Sequence, residues 1–202
     1  MARRARSVIV AIAIGAGCTM PAQLEAADQE HSDIRLLIVN EAGVDSSILT
    51  VAKAEATRIY DAFGIRLVWT EADQEGSAFT YVVKIIPRAL KGRAIDVGAM
   101  GIAPGTRESR GTVAYAFYDR IQDVTLTRGA DVALILGHVI AHEIGHLLLP
   151  YDAHAKNGLM RAGWNTDQTM RAMRGALTFT AQEAALIQQR LRNIDSPETA
   201  PG

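Results

Sequence analysis

The chain has 202 residues, of which 49% are hydrophobic and 21% charged, and its formal net charge is −1. That length and composition fit one globular domain with terminal segments, and they exclude a collagenous, repetitive or wholly disordered chain. A near-neutral balance without a basic patch leaves no footprint for nucleic acid.

Residues 1–26 read as a secretory signal peptide. Arg3, Arg4 and Arg6 form a basic leader, and residues 7–17 (SVIVAIAIGAG) form an apolar run too short to span a bilayer comfortably. Cleavage is expected near Ala26 or Ala27, which predicts a secreted or periplasmic mature protein. Two alternatives would hold the chain at a membrane: lipidation at Cys18, or an uncleaved N-terminal anchor. Cleavage removes three arginines and one glutamate, so the formal charge moves from −1 to −3. Cys18 is the only cysteine, so the mature chain forms no disulfide and takes any metal ligand from histidine or carboxylate.

Residues 27–194 read as one domain and residues 195–202 (DSPETAPG) as a frayed tail. Residues 34–39 (IRLLIV) form a buried strand. Asp45 or Ser46 caps a helix to about Phe63, with Ile48, Leu49, Ala52, Ala56, Ile59 and Tyr60 at three- and four-residue steps. Residues 65–70 (IRLVWT) and 79–86 (FTYVVKII) form two more strands, the latter stopped by Pro87. This order predicts a mixed sheet with a crossover helix. Residues 91–110 are glycine-rich and aperiodic, a loop long enough to be either functional or simply mobile. A fourth strand covers residues 112–118 (TVAYAFY), and residues 123–131 lead into a helix beginning between Thr127 and Asp131. Pro150 ends that helix. A last helix starts at Thr180-Ala-Gln-Glu183, which has capping-box form, and runs to about Asn193.

The chemistry is concentrated in the helix before Pro150. His142, Glu143 and His146 form an H-E-x-x-H pattern. Positions i and i+4 lie one turn apart on a helix, so both imidazoles can reach one ion from a single face. Glu143 projects beside them, where a carboxylate can take a proton from water at the metal. Neutral imidazoles suit Zn2+, and a catalytic zinc takes three protein ligands. The third candidates are His154, Asp152 and Glu183, the last already explained as a helix cap. His138 shares the stripe, but lies about 12 Å along the axis from His146, too far to share one ion, and reads as core or as support. His31 has no assigned role.

Residues 142–160 (HEIGHLLLPYDAHAKNGLM) resemble the zinc-binding segment of the metzincin metallopeptidases, especially the matrixin-like branch. His142, Glu143 and His146 match H-E-x-x-H-x-x-G-x-x-H, and Asn157-Gly158-Leu159-Met160 is similar to the family's methionine turn. Two positions depart from it: Leu149 replaces the turn glycine, and Asp152 stands where the third ligand is expected, two residues before His154. The methionine-turn spacing aligns with His154. The resemblance thus implies an α+β zincin-like domain: a mixed twisted sheet, a crossover helix, an active-site helix, a methionine turn and a C-terminal helix. It implies Zn2+ on His142, His146 and His154, Glu143 as general base, Met160 as a floor under the metal, and a peptide extended along a strand edge. Residues 113–118 are the expected edge. Tyr115 and Tyr151 are candidates to support the oxyanion, and Trp164 to wall a side-chain pocket or fill the core.

The expected function is an exported zinc-dependent metallopeptidase hydrolysing protein or peptide substrates through a zinc-activated water. The alternatives are a non-catalytic, zinc-stabilised binding module and a zinc amidase acting on a non-peptide amide. Nothing in the sequence specifies an oligomeric state.

Overall fold

The computed structural model describes residues 32–70, 81–90, 95–96, 98–106, 111–151 and 153–195. The signal peptide read at residues 1–26, His31, Asp152, the first two residues of the strand expected at 79–86, and the tail from 196 lie outside them. Among the described residues no helix is long and apolar enough to cross a membrane.

Five strands form one sheet: β1 (Ser32–Asn40), β2 (Ile65–Thr70), β3 (Tyr81–Ile86), β4 (Gly101–Ile102) and β5 (Val113–Phe117), in the order β2-β1-β3-β5-β4. The first four of that order run parallel, and β4 pairs antiparallel with β5. Parallel pairing of β1 with β2 requires a crossover, and α1 (Ser46–Asp61) supplies it. Asp45 caps α1, its carboxylate accepting from the Ser47 amide. The mixed sheet, crossover helix, motif-bearing helix, methionine-containing turn and C-terminal helix are all present as expected.

One expectation is corrected. Among the described residues the edge expected at 113–118 is covered in part: β4 pairs with Tyr115 and Ala116 on the side away from β3, so the outermost strand is β4. A two-residue strand within a glycine-rich stretch has no alternation to betray it. Two helices also go beyond the expected elements. The first, α2 (Tyr118–Arg128), leaves β5 directly and buries only Ile121 and Thr125, so it carries no apolar stripe. The second, α4 (Thr166–Met173), opens with an Asn165–Gln168 capping box.

Helix α3 (Val132–Leu148) runs through the centre. Of its 17 residues 14 are buried, as its nearly uninterrupted apolar composition requires. Asp131 caps it, accepting from the Ala133 and Leu134 amides at 2.9 and 3.0 Å. Leu149 is extended before Pro150, which terminates the helix. α3 packs against α1, β5, α2, α4 and α5 (Ala181–Asp195). The Tyr60 hydroxyl of α1 donates to the Ala141 carbonyl at 3.1 Å, and its ring meets Phe179 edge-on. These contacts hold the middle of α3, directly before His142, in a rigid setting. At the head of α5, Glu183 and Thr180 cap each other reciprocally.

Candidate metal centre

Helix periodicity places His142 and His146 on one face, with their Nε2 atoms 3.0 Å apart. Two nitrogens bound to one zinc at a tetrahedral angle stand about 3.3 Å apart, so this separation is nearly that of a bound pair. After the break at Pro150 the chain returns His154 to the same point. One ring nitrogen from each histidine falls in a cluster whose members all lie within 4.8 Å of one another. His142 is buried, His146 intermediate and His154 exposed. The exposed member sits on the loop after α3, where adjustment onto an ion disturbs the least packing.

The imidazole tautomer of His142 is set from behind. Its Nδ1–H donates to the Leu159 carbonyl at 2.7 Å, which leaves the Nε2 lone pair directed at the cluster. Met160, fully buried, follows Leu159 and approaches α3 at Gly145, where an added Cβ would stand 2.7 Å from the methionine sulfur. The turn at residues 157–160 therefore does two things: it orients one histidine and packs Met160 against α3 at Gly145.

Burial sets the electrostatics. It pushes His142 down to about 4, against the opposing donation to Leu159. It pushes His146 down to about 2, aided by His142 and His154 beside it. Both rings are thus neutral at pH 7 with lone pairs available, the form a metal ligand needs. Burial also raises Glu143 well above the usual carboxylate range. Its Oε2 is sealed from solvent with no hydrogen-bond partner among the described residues. A buried carboxyl in that condition favours a cation or a polar ligand beside it. The donor set and the orphaned carboxyl oxygen together fit a zinc ion.

These residues open onto a cleft of about 460 Å³. The described part of the 91–110 loop and β4 lines it, as do residues 161–164 after the methionine turn. Arg120 donates to the Asp96 and Ala99 carbonyls at 2.7 and 2.6 Å, tying that loop to α2. Gly101 of β4 packs directly on the carboxylate of Glu143: a Cβ there would stand 2.5 Å from Oε1. No sequence motif marks that contact. Trp164 both lines the cleft and belongs to the core, edge-on to His138 and His142. Tyr151 lines the cleft, whereas Tyr115 is not among its lining residues. His138 is fully buried; its Nδ1–H donates to the Leu134 carbonyl at 2.8 Å, and Nε2 stands 3.3 Å from Glu55 on α1. It joins the two helices from behind the cluster. Asp152, the rival third ligand, lies outside the described residues.

No family model matches the chain, and no curated protein matches it in sequence. Among solved structures it is similar to archaemetzincin from Methanopyrus kandleri, with a TM-score of 0.49 and 16% identity over 81% of this chain and 98% of that one. It is also similar to metalloproteinase-II from Bacteroides fragilis, with a TM-score of 0.46 and 14% identity over 80% of this chain and 54% of that one. The chain thus spans about half the length of the second neighbour. Both likenesses are distant, and the chemistry has to be read from this chain's own residues.

Proposed function

We propose that this chain is an exported, zinc-dependent peptidase. The observation that carries the proposal is the gathering of three histidine nitrogens beside a buried, unpartnered carboxyl in one open cleft. His142, His146 and His154 would hold the ion. Zinc bound there supplies a Lewis acid that polarises the scissile carbonyl and lowers the pKa of water at the site.

The protein's own groups do the rest. Leu159 keeps the proton of His142 on Nδ1, so its Nε2 stays a ligand. Glu143 takes the proton of the attacking water and passes it to the leaving amine. Its burial disfavours the charged form; a cation beside it would favour the carboxylate that a base requires. Gly101 leaves the carboxylate its room on the side of β4. Among the described residues no strand lies beyond β4, so its outer edge can take an extended peptide.

Export is supported by Arg3, Arg4, Arg6 and the apolar run after them, and N-terminal sequencing of the mature protein tests it. For the activity, unfolded protein, short peptides and cell-wall fragments are each assayed with and without a chelator. Chelator-sensitive cleavage of peptide bonds is expected, whereas cleavage of cell-wall amides alone would reassign the substrate. Glu143→Ala should keep its zinc and lose on the order of 10²- to 10⁴-fold in rate. Unchanged turnover in that variant rejects Glu143 as the base.

A further inference from the structure

The cleft carries a cation for which the proposed chemistry has no use. Arg161 follows Met160 directly, at the end of the turn that holds His142 through Leu159. Its amide donates to the Gly158 carbonyl at 3.4 Å, and it bridges to Ala155. The side chain is half-buried and lines the same cleft as His142, Glu143, His146 and His154. Among the described residues lining that cleft it is the only lysine or arginine.

Its hydrogen bonding is incomplete. Nη1 donates to the Lys156 carbonyl over a long 3.3 Å. Nε is sealed from solvent and finds no partner among the described residues. No carboxylate among the described residues pairs with the guanidinium, Asp96 in the same cleft included. A guanidinium is a rigid fork of five donors that stays charged at all accessible pH, and its shape matches a carboxylate bidentately. Among the described residues only Nη1 of the fork finds a partner, so Nη2, which is not sealed, is left to meet a ligand oxygen.

We infer that Arg161 is a specificity residue that receives a carboxylate of the substrate. This rests on the peptidase reading for its consequence in catalysis, but not for its consequence in binding. The carboxylate has two possible sources: an Asp or Glu side chain near the cleaved bond, or a free C-terminus. A purely structural Arg161, tying down the turn through Lys156, would affect stability but not the choice between an acid and its amide.

The experiment uses the zinc-loaded full chain and two peptide series. One is blocked at both ends and carries Glu or Gln at each position around the cleaved bond. The other has a neutral body and ends in a free carboxylate or an amide. In one series, exchanging acid for amide should lower kcat/KM on the order of 10- to 100-fold. The series that responds identifies the source. In Arg161→Gln the acid-to-amide ratio should collapse to about 1, and Arg161→Lys, with a point charge but no fork, should keep part of it. A ratio near 1 in the unmodified protein, or a preference that survives Arg161→Gln, overturns the inference. The same pairs are then titrated calorimetrically into zinc-loaded Glu143→Ala. Tighter binding of the acid peptide, lost with Arg161→Gln, upholds the carboxylate site even if no peptide is cleaved; that result would sink the peptidase reading alone.

Discussion

Replacing Gly101 with alanine tests how the general base is seated. The new methyl carbon would lie 2.5 Å from Glu143 Oε1, 2.7 Å from its Cδ and 2.6 Å from the Tyr115 carbonyl oxygen. Non-bonded heavy atoms are comfortable at roughly 3.5 Å, so relief needs a movement of about 1 Å. The Tyr115 carbonyl belongs to the sheet, where Ile102 faces Tyr115 across the β4–β5 pair. The Glu143 carboxylate is the free end of a side chain with one oxygen unpartnered among the described residues. The carboxylate can yield to two of these contacts, but the Tyr115 carbonyl is relieved only if β4 shifts against β5, which displaces the seat of the base as well. A misplacement of about 1 Å at a reacting group costs on the order of 10²-fold in rate. Gly101→Ala should then lose about that much in kcat while KM and zinc content stay near wild type. Its unfolding free energy should fall by about 1–3 kcal/mol, the usual cost of overpacking. Combining it with Glu143→Ala removes the carboxylate from the clash, so the stability cost of the methyl should shrink, with a coupling of about 0.5–3 kcal/mol. Wild-type turnover in Gly101→Ala, or an identical stability cost in both backgrounds, would refute the contact between β4 and the base.

The third ligand is tested by metal analysis: His154→Ala should release zinc to a weak chelator far more readily than Asp152→Ala, and the reverse order would move the assignment to Asp152. Asp131→Ala removes the cap of α3 and should cost about 0.5–2 kcal/mol in urea unfolding; no loss would mean that packing alone holds the helix start. In the metal-free protein, His142 and His146 refuse protons that their unfolded counterparts take up near pH 6.5, and the lowered His138 acts in the same direction. Glu143 opposes them, because it keeps a proton that the unfolded chain has released above about pH 4.5. The unfolded state thus binds roughly one proton more by pH 5, and stability should fall by on the order of 1 kcal/mol as the pH drops from 6 to 5. A flat profile of the chelated protein across that window would contradict the burial of these imidazoles.

The parts legible in sequence were those with a period or a cap. Helix α3 announced itself by its apolar run, Asp131 before it and Pro150 after it, and α5 by Thr180 and Glu183. The histidine pair followed from helical spacing alone, and the closeness of His154 from the methionine-turn spacing. β4 stayed hidden because two residues cannot alternate, and its presence covers part of the edge expected at β5. The α2 helix lacked an apolar stripe, and α4, only 8 residues long, was too short to show a period. The contacts of Gly101 with Glu143 and of Tyr60 with Ala141 join residues far apart in the chain, and no local pattern encodes them.

Four buried side-chain atoms lack a hydrogen-bond partner among the described residues: His138 Nε2, Glu143 Oε2, Arg161 Nε and Glu183 Oε1. Two have local explanations. Glu183 uses its other oxygen to cap α5, and His138 Nε2 stands 3.3 Å from the Glu55 carboxylate. The remaining two, an acid and a base, both line the cleft beside the histidine cluster, yet they do not satisfy each other as an ion pair. A fold that had merely tolerated stray polar groups would gain by pairing them, since each unmade buried bond costs about 1–3 kcal/mol. Their separate retention is better explained if each meets a different part of what enters the cleft, with Glu143 at the reacting water and Arg161 at a carboxylate some distance along the same peptide.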